Sequence, residues 1–376
     1  MFDFNISSMT REGIWFCTFF YFLILCLFWG KSTQVIPDSK AKKKNYIFLW
    51  VLVLIFALLS WTNGDWFHYL AMVSSFSGIG GDLGGLEMFY QYLILFTNGN
   101  YLAFRIVVWG LALILLTNSF SKLEIDTTIS VFFLFAVFID YFDYSRSALG
   151  IAVFFWGYSI YLTKHNRLIR IAGLAICLCS MYFHRSTMVL PLLGFVSLIP
   201  LRRRYLLVVI GLLALSFFSL KDIFVSTLDS FLSSEDEGLA YRANLYLNLE
   251  RGQMITGNFI GMVTSSWKYS VFYVLFAYST NIIYKNNLYD KLPVHIRTIY
   301  NFSFALVVFS TMMYMFNIGH LAFYYRYLMM LYAPLTIVVV YLFQNNHITR
   351  YQFKNLLLYS AGIVMFTFLY RSAIGA

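Results

Sequence analysis

Charge is scarce in this sequence. Asp, Glu, Lys and Arg together make up 12% of its 376 residues, about half the share of an ordinary soluble domain. With 60% hydrophobic and 20% aromatic residues alongside, a water-soluble globule is excluded, because the polar surface needed to cover such a core is missing. Long polar stretches are absent too, which leaves no soluble catalytic module. Five prolines are present, and they mark no linker. Cys17, Cys26, Cys177 and Cys179 all fall in apolar segments, where they read as small buried thiols rather than metal or redox ligands. Cys177 and Cys179 are two apart, which puts them on different faces of a helix. The N-terminal stretch holds Asp3 and Glu12 but lacks the basic region of a cleavable signal, so the first helix is expected to act as the targeting signal.

What the chain has instead is a succession of apolar runs. Stretches of roughly 17 to 20 residues recur from end to end, long enough to cross a hydrocarbon core of about 30 Å as helices. They fall at 14–30, 46–62, 101–120, 127–142, 147–163, 168–183, 186–200, 205–220, 265–284, 298–317, 325–343 and 355–371. The reading is an all-α polytopic integral membrane protein, one domain over 1–376, with about 12 transmembrane helices. The run from Leu86 to Phe96 is too short to cross and reads as a re-entrant or interfacial piece.

The net charge of +10 follows from the same reading. With the first loop inside, Lys31, Lys40, Lys42 to Lys44, Lys122, Lys164, Arg167, Arg170, Arg202 to Arg204, Lys285, Lys291, Arg297, Arg350 and Lys354 share the cytoplasmic side. That is the positive-inside bias of short loops. Basic residues dispersed over loops form no stripe for nucleic acid. Two external segments are longer, 63–100 and 221–264. In the first, the glycines between Gly78 and Gly85 lack the Lys-Ser/Thr ending of a P-loop and read as a flexible turn. In the second, Ile223, Phe224, Leu228, Phe231 and Leu232, then Leu239, Leu245 and Leu249, recur at the spacing of amphipathic helices. Glu235-Asp236-Glu237 between them reads as a solvated turn rather than a metal site.

Several polar residues need a reason to exist. Asp140, Asp143 and Arg146 are spaced by three and share a face if the chain is helical there. They are either a self-neutralising pair at a helix end or an anion site aligned by an aspartate. His184 and Arg185 stand alone between two apolar runs, with Ser186 or Thr187 placed to cap the next helix. Arg326 opens an apolar run, and an arginine there is kept where it meets a partner or a water-filled cavity. The outer ends carry mostly arginine, including Arg11, Arg105, Arg146, Arg185, Arg242, Arg251, Arg326 and Arg371. Guanidinium forks grip phosphate oxygens in pairs, which suits a diphosphate reached from outside.

Asn63-Gly64-Asp65 with Tyr69, Glu87 with Tyr90, Arg146 before Ser147-Ala148, His184 with Ser186, and Arg326 with Tyr327 occur in that order along the chain. In these residues the chain resembles the EpsG-type or Wzy-type bacterial polysaccharide polymerases. It departs from them in carrying Ser60-Trp61-Thr62-Asn63 where an arginine often precedes that aspartate motif. The resemblance implies a GT-C-like glycosyltransferase of the inner membrane with its site facing the periplasm. It would transfer a growing glycan from undecaprenyl diphosphate onto a new lipid-linked repeat, without metal or other cofactor. Partners would be the lipid-linked donor and acceptor, membrane lipid and, as a further candidate, a chain-length regulator.

The residues allow roles to be assigned on chemical grounds. A leaving diphosphate is stabilised by fixed arginines, for which Arg146, Arg185, Arg326 and Arg242 are the candidates. The acceptor hydroxyl needs a base, and His184, Asp143, Asp65 and Glu87 qualify. Trp66, Tyr69, Tyr90 and Tyr324 are candidates to stack on sugar, with interfacial anchoring as the alternative. Two other functions remain open: an O-antigen-type ligase, and a flippase or transporter of lipid-linked glycan. The topology predicts that alkaline phosphatase fused after Gly85 is active and the same fusion after Lys291 is inactive; activity at both positions would mean that Leu86 to Phe96 crosses and every later helix is inverted.

Overall fold

The computed structural model describes residues 18–26, 47, 50, 51, 73, 87–142, 145–200, 259–315 and 326–374, and over these the chain is helical with no strand. The helices are α1 (Met88–Phe96), α2 (Tyr101–Lys122), α3 (Thr127–Phe142), α4 (Ser145–Thr163), α5 (Arg167–Cys179), α6 (Val189–Val196), α7 (Phe259–Lys285), α8 (Val294–Met315), α9 (Tyr332–Gln344) and α10 (Arg350–Ile374). Tyr101–Lys122 and Arg326–Gln344 are long and apolar enough to cross a membrane, with mean hydropathies of 1.8 and 1.7. Thr127–Ile139 and Ser186–Val196 are apolar but shorter. With nine residues, α1 is about 13 Å long and cannot cross on its own.

Composition explains which helices lie at the centre. Residues 131–139 of α3 are apolar and buried on every side, as are nearly all positions of α9. A helix that is hydrophobic all round belongs inside a bundle. Aromatic rings join these two to their neighbours: Phe138 stacks on Phe272 of α7 at 5.2 Å, and Phe133 and Phe343 both stack on Phe353 of α10, at 5.7 and 4.1 Å. Tyr21, in the helical stretch 18–26, donates to Ala136 O at 2.6 Å.

The helices alternate in direction and so create two poles. At one, the side chain of Gln344 spans the turn between α2 and α3, donating to Glu124 O at 3.1 Å and accepting from the Asp126 amide at 3.0 Å. Asn301 of α8 donates to the carbonyls of Ser197 and Ile199 just past α6, both at 3.3 Å. Lys122, Lys164, Arg167, Lys285, Lys291, Arg350 and Lys354 lie at or beside helix ends of this pole. Glu87, Arg146, His184 and Arg326 lie at helix ends of the other.

Two features depart from the expected apolar runs. Past Cys179 the chain tightens into a 3-10 turn, Ser180–Tyr182, and α6 is preceded by another, Arg185–Met188. The Thr187 hydroxyl does not cap α6. It donates to Ser180 O and His184 O at 2.8 and 2.7 Å, folding the chain back on itself. The second departure is α7, which begins at Phe259, six residues before the expected run. The two cysteines do face different ways, with Cys177 buried and Cys179 exposed.

α4 and α5 make the closest helix contact. A Cβ built on Gly157 would lie 2.6 Å from Gly173 O, and one on Gly173 would lie 2.8 Å from Gly157 O. Small residues let two backbones touch where lipid supplies no hydrophobic drive for helix association. Gly157→Val is therefore expected to separate α4 from α5 and destabilise the protein by about 1 to 3 kcal/mol. Thermal unfolding in detergent checks this, with Gly110→Ala, where a Cβ meets nothing within 4 Å, as the neutral control.

Candidate functional site

Three helix ends converge on one carboxylate. Glu87 precedes α1 in an extended conformation and caps no amide with its side chain. The carboxylate is used elsewhere. Oε2 accepts from Arg146 Nη1 at 3.0 Å, and Oε1 meets His184 Nδ1 at 3.3 Å. Arg146 sits in the first turn of α4 and His184 immediately before the 3-10 turn that leads into α6. The side chains of Glu87 and His184 are 7% and 12% exposed and that of Arg146 23%, so the cluster is screened but the guanidinium still reaches the outside.

The surrounding helices hold this arrangement in place. The Tyr90 hydroxyl donates to Arg146 O at 3.2 Å, and the Tyr332 hydroxyl of α9 donates to Ala148 O at 3.1 Å. Both fasten the first turn of α4. On the other side, a Cβ on Gly150 would lie 2.9 Å from Thr187 Cγ2 and 3.4 Å from His184 Cβ. Only glycine lets the His184 turn come this near α4.

Electrostatics then fix the protonation states. Burial pushes the Glu87 pKa up, but the His184 hydrogen bond and the Arg146 charge outweigh it and bring the pKa down to about 2. Glu87 is thus a carboxylate at neutral pH and can only accept. The facing Nδ1 of His184 must carry the hydrogen, which leaves the Nε2 lone pair free. Burial lowers the His184 pKa; Glu87 opposes this, while the charges of Arg146 and Arg326 lower it further. The imidazole is neutral at pH 7, held in one tautomer by a carboxylate, and able to take a proton at Nε2.

The structure brings together Glu87, Arg146 and His184, with Arg326 close enough for its charge to act on the histidine. Arg326 itself is exposed. Arg185 lies in the turn, though its side chain, like that of Asp140, is outside the described residues. Asp65, Trp66, Tyr69, Asp143, Arg242 and Tyr324 also lie outside them. Tyr90 differs from its expected role. It is fully buried, with its ring against Phe89 and Phe104, and offers no face to a sugar. Gly150 and Tyr332 were not among the sequence candidates. Neither has a local signal, since each acts through a contact distant in the chain. Among the described residues no group of three His, Cys, Asp or Glu is arranged to hold a metal. Comparison with protein-family models, curated proteins and solved structures finds no match for the chain.

The His184 pKa has a consequence for stability. Below about 6.5 an unfolded histidine takes up a proton, whereas the folded one resists until its lowered pKa is reached. Stability present above pH 6.5 is therefore lost as pH falls towards that value. Between pH 7.5 and 5.5 the wild-type Tm is expected to fall more than that of His184→Gln. Burial also lowers the His295 pKa, but that residue contributes equally to both proteins. Equal slopes would show that His184 is solvated.

Proposed function

We propose that this chain is a multi-pass glycosyltransferase of the bacterial cytoplasmic membrane, a polymerase of lipid-linked oligosaccharide repeats. About 12 membrane helices in a GT-C-like arrangement would place the Lys-rich pole in the cytoplasm and the Glu87 cluster at the outer face. The observation that carries this reading is the neutral, singly oriented His184 beside two arginines. Those are the groups that a metal-independent glycosyl transfer from a lipid diphosphate needs. The order of the resembling motifs along the sequence supports the same assignment.

In the proposed reaction His184 Nε2 takes the proton from the acceptor sugar hydroxyl as its oxygen bonds to the anomeric carbon of the growing glycan. The bond from that carbon to the diphosphate oxygen breaks, and the electron pair leaves with undecaprenyl diphosphate. Arg146 and Arg326 stabilise the negative charge that develops there. Glu87 keeps the imidazole in its acceptor tautomer and Arg146 in position.

Deleting the gene is expected to leave single repeats on the final carrier, resolved by surface-glycan length and by mass spectrometry of the lipid-linked pool. His184→Ala should slow polymer formation by about 10²- to 10⁴-fold, and Arg146→Ala should abolish long product while the protein still inserts. Long polymer stranded on undecaprenyl diphosphate would instead identify a ligase. Single repeats confined to the cytoplasmic leaflet would identify a flippase.

A further inference from the structure

A second feature lies at the opposite pole, on the outer surface of α4, α5 and α6. Phe154, Tyr158 and Tyr161 are spaced by four and three along α4 and form the floor of a groove. Leu174 and Leu178 of α5 form one wall, and Gly194, Phe195 and Leu198 of α6 and the turn after it form the other. No polar surface lines it. The Tyr158 hydroxyl is turned away, bonded to Ser197 Oγ at 2.6 Å and donating to Gly194 O at 3.0 Å. Its lips are open, with Leu178 and Phe195 51% and 52% exposed. The floor deepens inward, from the half-buried Tyr161 to Tyr158 and Phe154, which are buried beneath the lips.

The two ends of the groove differ. At the end nearer the Glu87 cluster the chain is packed shut, because Gly150 leaves no room even for a methyl group beside Thr187 and Ser180. At the other end, Arg170 continues the α5 stripe one turn beyond Leu174. Its guanidinium lies over the Tyr161 ring with Cζ 4.6 Å from the centroid. Lys164, Arg167 and Arg170 are all exposed, and no carboxylate pairs with them among the described residues. Leu168 and Ile171, interleaved with them, are 76% and 53% exposed. Cations and apolar side chains alternating on one surface are what the boundary between headgroups and acyl chains selects.

We propose that this groove is a binding site for one anionic phospholipid of the Lys-rich, cytoplasmic leaflet. Its phosphate sits on Arg170, Arg167 and Lys164, and one acyl chain lies against Tyr161 between the lips formed by Leu174 and Leu178 on one side and Phe195 and Leu198 on the other. The charge of the open end matches an anionic headgroup, and its apolar depth matches a saturated or singly unsaturated chain. The closed end excludes a polyprenyl chain descending from the Glu87 cluster. The site rests on the membrane reading of the chain and is independent of the polymerase assignment.

The test is native mass spectrometry of the full-length protein in detergent, titrated with phosphatidylglycerol or phosphatidylcholine. Wild type is expected to retain phosphatidylglycerol in preference, and Arg167→Gln/Arg170→Gln to bind it about tenfold or more weakly with phosphatidylcholine binding unchanged. Gly194→Leu fills the groove and is expected to weaken both lipids; Leu178→Gln on the exposed lip serves the same purpose where the glycine variant does not fold. Equal retention of phosphatidylglycerol by wild type and the double arginine variant would overturn the site. So would displacement of that lipid by undecaprenyl phosphate from wild type but not from the variant, which would assign the groove to the polyprenyl carrier.

Discussion

A carboxylate with 7% of its side chain exposed cannot stay ionised without donors, and at Glu87 the donors come from 59 and 97 residues away in the chain. Desolvation alone favours the neutral acid. The pKa falls to about 2 because a guanidinium and an imidazole N–H are already in place. The start of α1, the first turn of α4 and the turn before α6 must therefore meet at one point, and the surrounding packing serves that meeting. Losing either donor would leave a charge buried with incomplete compensation, which is the costly state for such a group.

Everything around the cluster is consistent with a need for rigidity. Tyr90 and Tyr332 bond to carbonyls in the first turn of α4, Thr187 closes the His184 turn, and Gly150 allows the turn to approach. They fix where the imidazole and guanidinium lie, so that little reorganisation is needed when charge develops nearby. Irregular backbone at a helix end is tolerated in a membrane protein where protein or a water-filled cavity satisfies its polar groups. The two 3-10 turns flanking His184 meet that condition, since the Ser180 hydroxyl donates to Cys177 O at the end of α5 and the Thr187 hydroxyl to Ser180 O.

Over the described residues the sequence shows roughly where helices lie, because apolar runs are local signals; the expected runs at 46–62 and 205–220 fall wholly or mostly outside those residues. That the run ending at Phe96 is too short to cross was legible for the same reason, as was the separation of Cys177 from Cys179. The pairing at the site was not legible. Asp143, three residues before Arg146, was the natural partner by spacing and lies outside the described residues; the described partner, Glu87, is the residue just ahead of α1. Tyr90 was a candidate to stack on sugar or to anchor at the interface; it is buried and supports the first turn of α4 through Arg146 O. Gly150 was silent because a glycine in a helix carries no sign of the turn that will press against it.

The charges of the cluster also imply how it would respond to a ligand. Among the described residues Glu87 contributes one negative charge, Arg146 and Arg326 two positive charges and the neutral histidine none, which leaves these four together electropositive. An anion entering beside the arginines would cancel the charges that now depress the His184 pKa. The imidazole would become a stronger base only when the anion is bound. Burial and the two arginines keep the proton off Nε2; in the proposed reaction a bound diphosphate would strengthen the base that acts beside it. This coupling is carried by the two guanidinium charges near His184, while Glu87 fixes the tautomer on which it acts.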